Sequence, residues 1–473
     1  MLRAKIYNSL NRISIEASTY LIEGFLMTTR SIFLTSLLVI LPSVSFLAVD
    51  GQEALAQTSE KTAVTKIQSP TGAKNSDGSG TESKLSPATA AATNAPVQLK
   101  GIATHNAEEA AKDEAMQKAS ASITAKFRGT WQMFLQNPCH TGLVNLETSR
   151  LSQGRLHWSF PAEGPIDSSP AIYKGVVYVG SDDMNVYAVD EHTGAMLWQS
   201  KLGDKVKSSP AIADGIIVVG CEDKQLYGLD AHTGKILWTF ASQGRISASP
   251  VINDGIAYVG SWDGFVYAVE TRTGTLKWKF QTGSRITASP ALGPDMVIAT
   301  SHDFSVYALA LADGAVLWQH KTGNKIFSSP MVMGDTVYFG SWDKVFYALD
   351  VSNGHLRWKF QAAESFSISP VGANGKVFVG NDDLKMYCLQ AATGKLLWKT
   401  RLNSPVPLLS SSPALAGGML YVGSSDAYVY ALDTRNGAIK WKFKTQKPIC
   451  SSPAISTTGV CVGSQDGNLY LLD

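Results

Sequence analysis

Lys205, Arg245, Arg285 and Lys325 follow one another at intervals of 40 residues, and Trp262, His302 and Trp342 repeat the interval 17 residues behind the last three of them. Exposed aromatic rings among Arg and Lys are the composition of a binding surface. An indole beside such cations is also a seat for a planar acid. The same seven residues have a plainer use, in which the cations solvate a rim and the two Trp cap a core. The choice rests on the elements that carry them.

Little else in the chain spells chemistry. Asp183, Asp223, Asp263, Asp303, Asp343, Asp383, Asp426 and Asp466 recur once in each of eight units. A catalytic acid is not needed eight times, and short Asp side chains bond their own backbone in turns, so these are read as turn caps. There is no His-rich or Cys-rich metal spacing, no nucleophile elbow and no phosphate loop. A formal charge of +2 on 473 residues gives no dense basic patch, so no nucleic-acid partner is expected.

The carrying elements are set by a repeat. A Pro recurs at Pro170, Pro210, Pro250, Pro290, Pro330, Pro370, Pro413 and Pro453, and a Trp at Trp158, Trp198, Trp238, Trp278, Trp318, Trp358, Trp398 and Trp441. The Pro spacing is 40 except for one step of 43, which places a three-residue insertion in a loop, "LNSPVPLLSSSP". Within a unit such as "SSPAIADGIIVVGCEDKQLYGLDAHTGKILW" (208–238) the apolar period is two, in four short runs parted by Gly, Asp or Asn. Four strands per unit of this length is one blade of a propeller, which predicts an all-β, eight-bladed β-propeller of four-stranded antiparallel blades. The sequence ends after the third strand of the eighth unit, at "GNLYLLD", while "GRLHWSF" (154–160) is a fourth strand with no blade before it. Pairing the two closes the ring and removes the exposed edges. Gly194, Gly234, Gly274, Gly314, Gly354, Gly394 and Gly437 supply positive φ in the last hairpin of each unit.

Two variable columns then carry the functional expectation. Five residues before each Pro stand Pro165, Lys205, Arg245, Arg285, Lys325, Ser365, Leu408 and Pro448, at the entry of the innermost strand; four before stand only apolar residues, which pack. Just before each turn Asp stand Asp182, Glu222, Trp262, His302, Trp342, Asp382, Ser425 and Gln465, in a loop that opens on the same face. The expected site is a basic arc over half the channel mouth with three aromatics rising beside it, for a protein partner or a small acidic ligand.

"AVDEHTGAMLW" (188–198), "GLDAHTGKILW" (228–238) and "CLQAATGKLLW" (388–398) resemble the Trp-docking motif A-x-D-x-x-T-G-K-x-x-W of PQQ-like, quinoprotein-type propellers, over about residues 155 to 473. "TWQMFLQNPCHTGL" (130–143) is similar to the lead-in of such propellers. The resemblance implies that the eight recurring Trp are docking residues. The family includes PQQ-dependent dehydrogenases, repeat proteins without enzyme activity and the propeller lipoprotein of the outer-membrane barrel-assembly machinery. The dehydrogenases carry a Glu/Asn/Asp calcium site, a catalytic Asp and often adjacent Cys, none of which maps onto this chain. The lipoprotein needs a Cys at its signal cleavage point, and no Cys precedes Cys139. The expectation is therefore an exported, monomeric, non-enzymatic binding or scaffold propeller with no assigned catalytic residue, metal or cofactor. The alternatives are a PQQ-dependent oxidoreductase, using PQQ with calcium, and a membrane-tethered envelope scaffold.

The front of the chain gives an address. Arg30, the apolar run "SIFLTSLLVILPSVSFLAV" and then "ALAQ" have the order of a secretory signal cut after Ala56, with translation from Met1 or from Met27. Periplasmic or extracellular export is expected, or anchoring by residues 31–49 if the segment is kept. Residues 57–104 read as a disordered Ser/Thr/Ala-rich linker, 105–129 as a short helix and 130–473 as the propeller. Five Cys leave at least one thiol out of any disulfide. Cys388 reads as a small core residue, and Cys450 and Cys461 flank one hairpin in an offset register.

Overall fold

Each repeat folds as its alternation demands. The computed structural model describes residues 131–144, 153–402 and 410–473. The expected leader, linker and helix, and Leu408, lie outside the described residues. The first unit after Pro170 gives β3 (Ala171–Tyr173), β4 (Val176–Gly180), β5 (Asn185–Asp190) and β6 (Met196–Lys201), preceded by β1 (Leu143–Val144) and β2 (Leu156–Pro161). Order β3-β4-β5-β6 is an antiparallel meander, and the same meander recurs in every unit, giving eight blades. The first strands of successive blades neighbour one another around the axis. A Lys174–Gly175 turn with φ of 52° and 77° joins β3 to β4, a two-residue hairpin whose hand matches the strand twist.

Closure is complete. β2 pairs antiparallel with Asn468–Leu472, Ser159 opposite Tyr470, and so supplies the fourth strand of blade 8. A second circuit runs inside. The backbone N–H of Ser169 donates to Ser209 Oγ, and the bond repeats through Ser249, Ser289, Ser329, Ser369, Ser412 and Ser452 back to Ser169, each at 2.9–3.0 Å. Every blade is thus tied to the next by the residue before its Pro, which has no N–H of its own to offer.

The Trp column makes the outer tie. Trp158 Nε1 donates to Glu191 O of the following blade at 2.9 Å, and six further docking indoles do the same, from Trp198 to Ala231 O through Trp398 to Thr434 O. Trp441 Nε1 is buried with no hydrogen-bond partner among the described residues. Gly194 lies under the Trp158 ring, where a Cβ would come within 2.8 Å, so this glycine is required by close approach as well as by its φ of 72°. Gly154 lies in the same way under Trp441. A β-bulge sits just before each docking Trp, as between Ala188 and Val189 opposite β6, and leaves two consecutive residues exposed, Met196 and Leu197 in blade 1.

Residues 131–144 line the axis. Ile172 and Ile212 donate their N–H groups to Trp131 O and Gln132 O, Leu292 and Val332 to Pro138 O and Cys139 O, and Gly372 and Leu415 to Thr141 O and Gly142 O. The segment thereby bonds the innermost strands of six blades, and β1 adds in parallel to Ala414–Ala416 as a fifth strand of blade 7. Asn137, fully buried, organises it: its Oδ1 accepts from the N–H of Cys139 and Thr141, and its Nδ2 donates to Thr141 Oγ1. His140 is buried beside it with Nδ1 on Pro330 O at 2.9 Å, and burial lowers its pKa to about 4.

All five cysteines are free thiols. Cys388 is buried opposite Trp398, and Cys461 pairs in register with Ala454, four residues beyond Cys450. The offset register therefore leaves Cys450 and Cys461 unbridged. No helix among the described residues is long and apolar enough to cross a membrane.

Candidate functional site at the channel mouth

Backbone bonds bring the two variable columns together. The loop residue before each turn Asp donates its N–H to the carbonyl of the strand-entry residue of its own blade: Trp262 to Arg245 O (2.9 Å), His302 to Arg285 O (3.1 Å), Trp342 to Lys325 O (3.0 Å) and Glu222 to Lys205 O (3.0 Å). The residue one further along the entry, Ile166, Val206, Ile246, Ile286, Ile326, Phe366 or Ile449, is buried and anchors the arrangement. The turn Asp residues are consumed by structure. Oδ1 of Asp183 caps the N–H of Asn185 and Oδ2 accepts from Tyr187 Oη at 2.8 Å, and the Tyr–Asp bond recurs in all eight blades. Burial and that bond push the Tyr187 and Tyr307 hydroxyls up to about 12.

Both Arg guanidinium groups lie over the Trp262 indole, Arg285 at 4.9 Å and Arg245 at 5.6 Å from the ring centroid, and the indole N–H is fixed by Ser247 Oγ at 2.8 Å. Arg285 Nε donates to His302 Nδ1 at 3.1 Å, which leaves the neutral ring its hydrogen on Nε2, facing Thr287 Oγ1 at 2.9 Å. Trp342 stacks on Phe327 at 4.4 Å, and Phe327 meets the His302 ring at 4.2 Å. The Trp342 N–H donates to Ser367 Oγ, which donates to Asp382 Oδ2. Burial raises the Asp382 carboxyl to about 6, and its Oδ1 has no partner among the described residues.

Two expectations need correction. His302 does not rise as an exposed aromatic: it is 4% exposed, held between the Arg285 and Thr287 bonds and covered by Phe327. Trp262 and Trp342 are half-buried. Nor is the arc uniformly basic. Lys205 faces Asp182 at 3.4 Å, Arg245 faces Glu222 at 3.3 Å, and Lys207 bridges Asp167 (2.7 Å) and Asp182 (3.3 Å). Lys325 enters no ion pair among the described residues.

A third column completes the mouth. Three residues before each Pro stand Asp167, Lys207, Ser247, Thr287, Phe327, Ser367, Ser410 and Cys450. Their side chains meet the loop column within and between blades, ending with Gln465 Nε2 on Asp167 Oδ1 at 3.1 Å across the seam between blades 8 and 1. The signal was present two residues beyond the cation column, where Asp, Lys and Phe interrupt a run of small polar residues.

Among the described residues no group of three or more His, Cys, Asp or Glu is placed to hold a metal ion. The mouth acids Asp167, Asp182 and Glu222 are engaged by Lys207, Lys205 and Arg245. Asp382, the remaining acid of the mouth, stands apart from these three, on Ser367.

The profile of a family described as "Beta-alanine-activating enzyme, beta-propeller" matches residues 166–336 and 256–473. No curated protein matches the chain in sequence. Among solved structures, BamB from Moraxella catarrhalis is 20% identical at a TM-score of 0.60, covering 68% of this chain and 99% of its own. A europium-containing methanol dehydrogenase is 17% identical at 0.62, covering 72% and 91%. The quinohemoprotein alcohol dehydrogenase of Comamonas testosteroni is 15% identical at 0.63, covering 77% and 84%. At these identities the likeness is one of fold.

Proposed function

The chain belongs to the family described as "Beta-alanine-activating enzyme, beta-propeller", matched over residues 166–336 and 256–473, with a propeller of the PQQ-like kind, and from that premise we propose that it is an exported, non-enzymatic binding propeller that takes an acidic protein segment or small acidic ligand at its mouth. The observation that carries this reading is the placing of Arg245 and Arg285 over one indole that Ser247 holds still. Two guanidinium groups attracted to one ring are held near one another, and their planar forks of donors suit a carboxylate, which would compete with Glu222 for Arg245. Lys325, whose carbonyl accepts from the Trp342 backbone N–H, adds a further cation to the same column. The ion pairs of blades 1 to 3 favour a partner that matches a pattern of charge over any polyanion.

Titration of the full chain with an oligoglutamate peptide tests this. The Arg245→Ala/Arg285→Ala double variant loses about tenfold or more in affinity, since two charge-assisted contacts go. Trp262→Ala loses affinity with a weaker salt dependence, because its part is stacking and area. Unchanged binding in both variants would rule out the mouth. In parallel, PQQ with calcium is added and dye reduction by alcohols and sugars is followed; turnover would establish the oxidoreductase reading instead.

A further inference from the structure

The outer edge of the ring carries its charge unevenly. The last strand of each blade exposes the residues one before, one after and three after its docking Trp. In blades 5, 6 and 7 these are Arg357, Lys359 and Gln361; Leu397, Lys399 and Arg401; Lys440, Lys442 and Lys444, seven cations in nine positions. In blades 1, 2 and 4 they are Leu197, Gln199 and Lys201; Leu237, Thr239 and Ala241; Leu317, Gln319 and Lys321, with two; blade 8 has His157, Ser159 and Pro161, and blade 3 has Lys277, held by Glu270, Lys279, over the Phe265 ring, and Gln281. None of these strands contains Asp or Glu. Arg357 is held by Asp335 and Asp350, and Lys440 by Asp433. Lys442 and Lys444 lie over the Tyr428 ring, and Lys359, Lys399 and Arg401 enter no ion pair among the described residues.

Lysine on an edge strand discourages strand pairing between molecules. Four of the eight edges nevertheless have Ser159, Gln199, Thr239 or Gln319 where the others have Lys. Edge protection therefore does not require the cluster. Exposed aliphatics lie among the cations, Leu356, Leu396, Leu397 and Ile439, at 36–45%; the other edges expose aliphatics as well, as at Met196, Leu237 and Leu317, so it is their company of cations that sets blades 5 to 7 apart.

We infer that the outer edge of blades 5 to 7 docks on an anionic lipid surface. Such a surface answers both parts of the strip: headgroups meet the cations and the interface covers the aliphatics, with no groove or fixed register needed. A soluble polyanion would meet only the first part. This surface is separate from the mouth, and either can fail without the other.

The test is sedimentation of the full chain with vesicles of phosphatidylglycerol and phosphatidylcholine in equal parts, against phosphatidylcholine alone. Each cation at such a surface contributes about fivefold, so Lys359→Gln/Lys399→Gln/Lys442→Gln lowers partition onto the anionic vesicles about a hundredfold. It leaves the phosphatidylcholine value and thermal unfolding unchanged. The equal-charge control Lys201→Gln/Lys235→Gln/Lys321→Gln, on blades 1, 2 and 4, partitions like the wild type. Equal loss in both triple variants, or no preference for anionic vesicles, overturns the inference. So does capture of oligoglutamate through this strip with no vesicle binding.

Discussion

Replacing Asp382 by Asn changes how stability depends on pH. Burial, with Glu364 and Asp383 nearby, raises this carboxyl from 3.8 to about 6, while the Ser367 hydroxyl pulls the other way. Between about pH 4 and pH 6 the unfolded chain has released the proton and the native chain still holds it. Stability therefore falls as pH rises through that window and stays lower above it. A change from 3.8 to about 6 corresponds to about 3 kcal/mol at 1.36 kcal/mol per pH unit. The side chain keeps an edge toward the solvent-lined mouth, and screening there reduces the expected effect to about 1 to 2 kcal/mol. Urea unfolding of wild type and Asp382→Asn at steps from pH 4 to pH 8 reads it directly. The variant gains on the wild type by that amount between pH 4 and pH 7, with no further gain above. Parallel curves across the whole range would refute the assignment of a buried, proton-retaining carboxyl at the mouth.

Three further outcomes follow from the fold. Gly194→Ala combines a left-handed φ with a Cβ against Trp158 and costs about 2 to 4 kcal/mol, whereas Gly215→Ala, with φ of 77° and nothing within 4 Å, costs about 1 kcal/mol; equal losses in chemical denaturation would remove the close-approach argument. Deleting residues 57–125 leaves thermal stability nearly unchanged, while extending the deletion to residue 162 removes the axial segment and β2 and leads to aggregation; equal solubility of the two would contradict closure by β2. Mass spectrometry of the mature chain finds Gln57 at its N-terminus, and a retained apolar segment in the membrane fraction would favour anchoring.

The Pro and Trp columns made the blades legible because each blade solves the same local problem: a period-two strand, a Gly turn and an indole with one neighbour to dock on. Closure was legible because "GRLHWSF" is complete in itself and lacks only partners. The axial segment was not. Trp131–Val144 has neither period, its positive-φ residues Leu135, Gln136 and His140 follow no turn signature, and its bonds go to strands far along the chain. At the mouth, the backbone pairing of the cation and loop columns could be reasoned from strand order. The burial of His302 could not, because Phe327 covers it from the next blade and Arg285 reaches it by side chain alone. The ion pairs to Asp182 and Glu222 follow from the same columns, because each acid stands in the loop column beside the cation it meets.

If the mouth of this propeller binds a ligand, its tryptophans respond to that ligand and the repeated tryptophans between blades do not. The chain has eleven Trp, of which Trp262 and Trp342 stand at the mouth and seven dock one blade on the next through the indole N–H. Nitrogen-15 labelling of the indoles, with signals assigned through Trp262→Phe and Trp342→Phe, separates the two sets in one spectrum. On titration with oligoglutamate the Trp262 and Trp342 signals shift together and saturate while the docking indoles stay in place. Saturating peptide that leaves both mouth signals unmoved, or that shifts the docking indoles instead, would contradict the account.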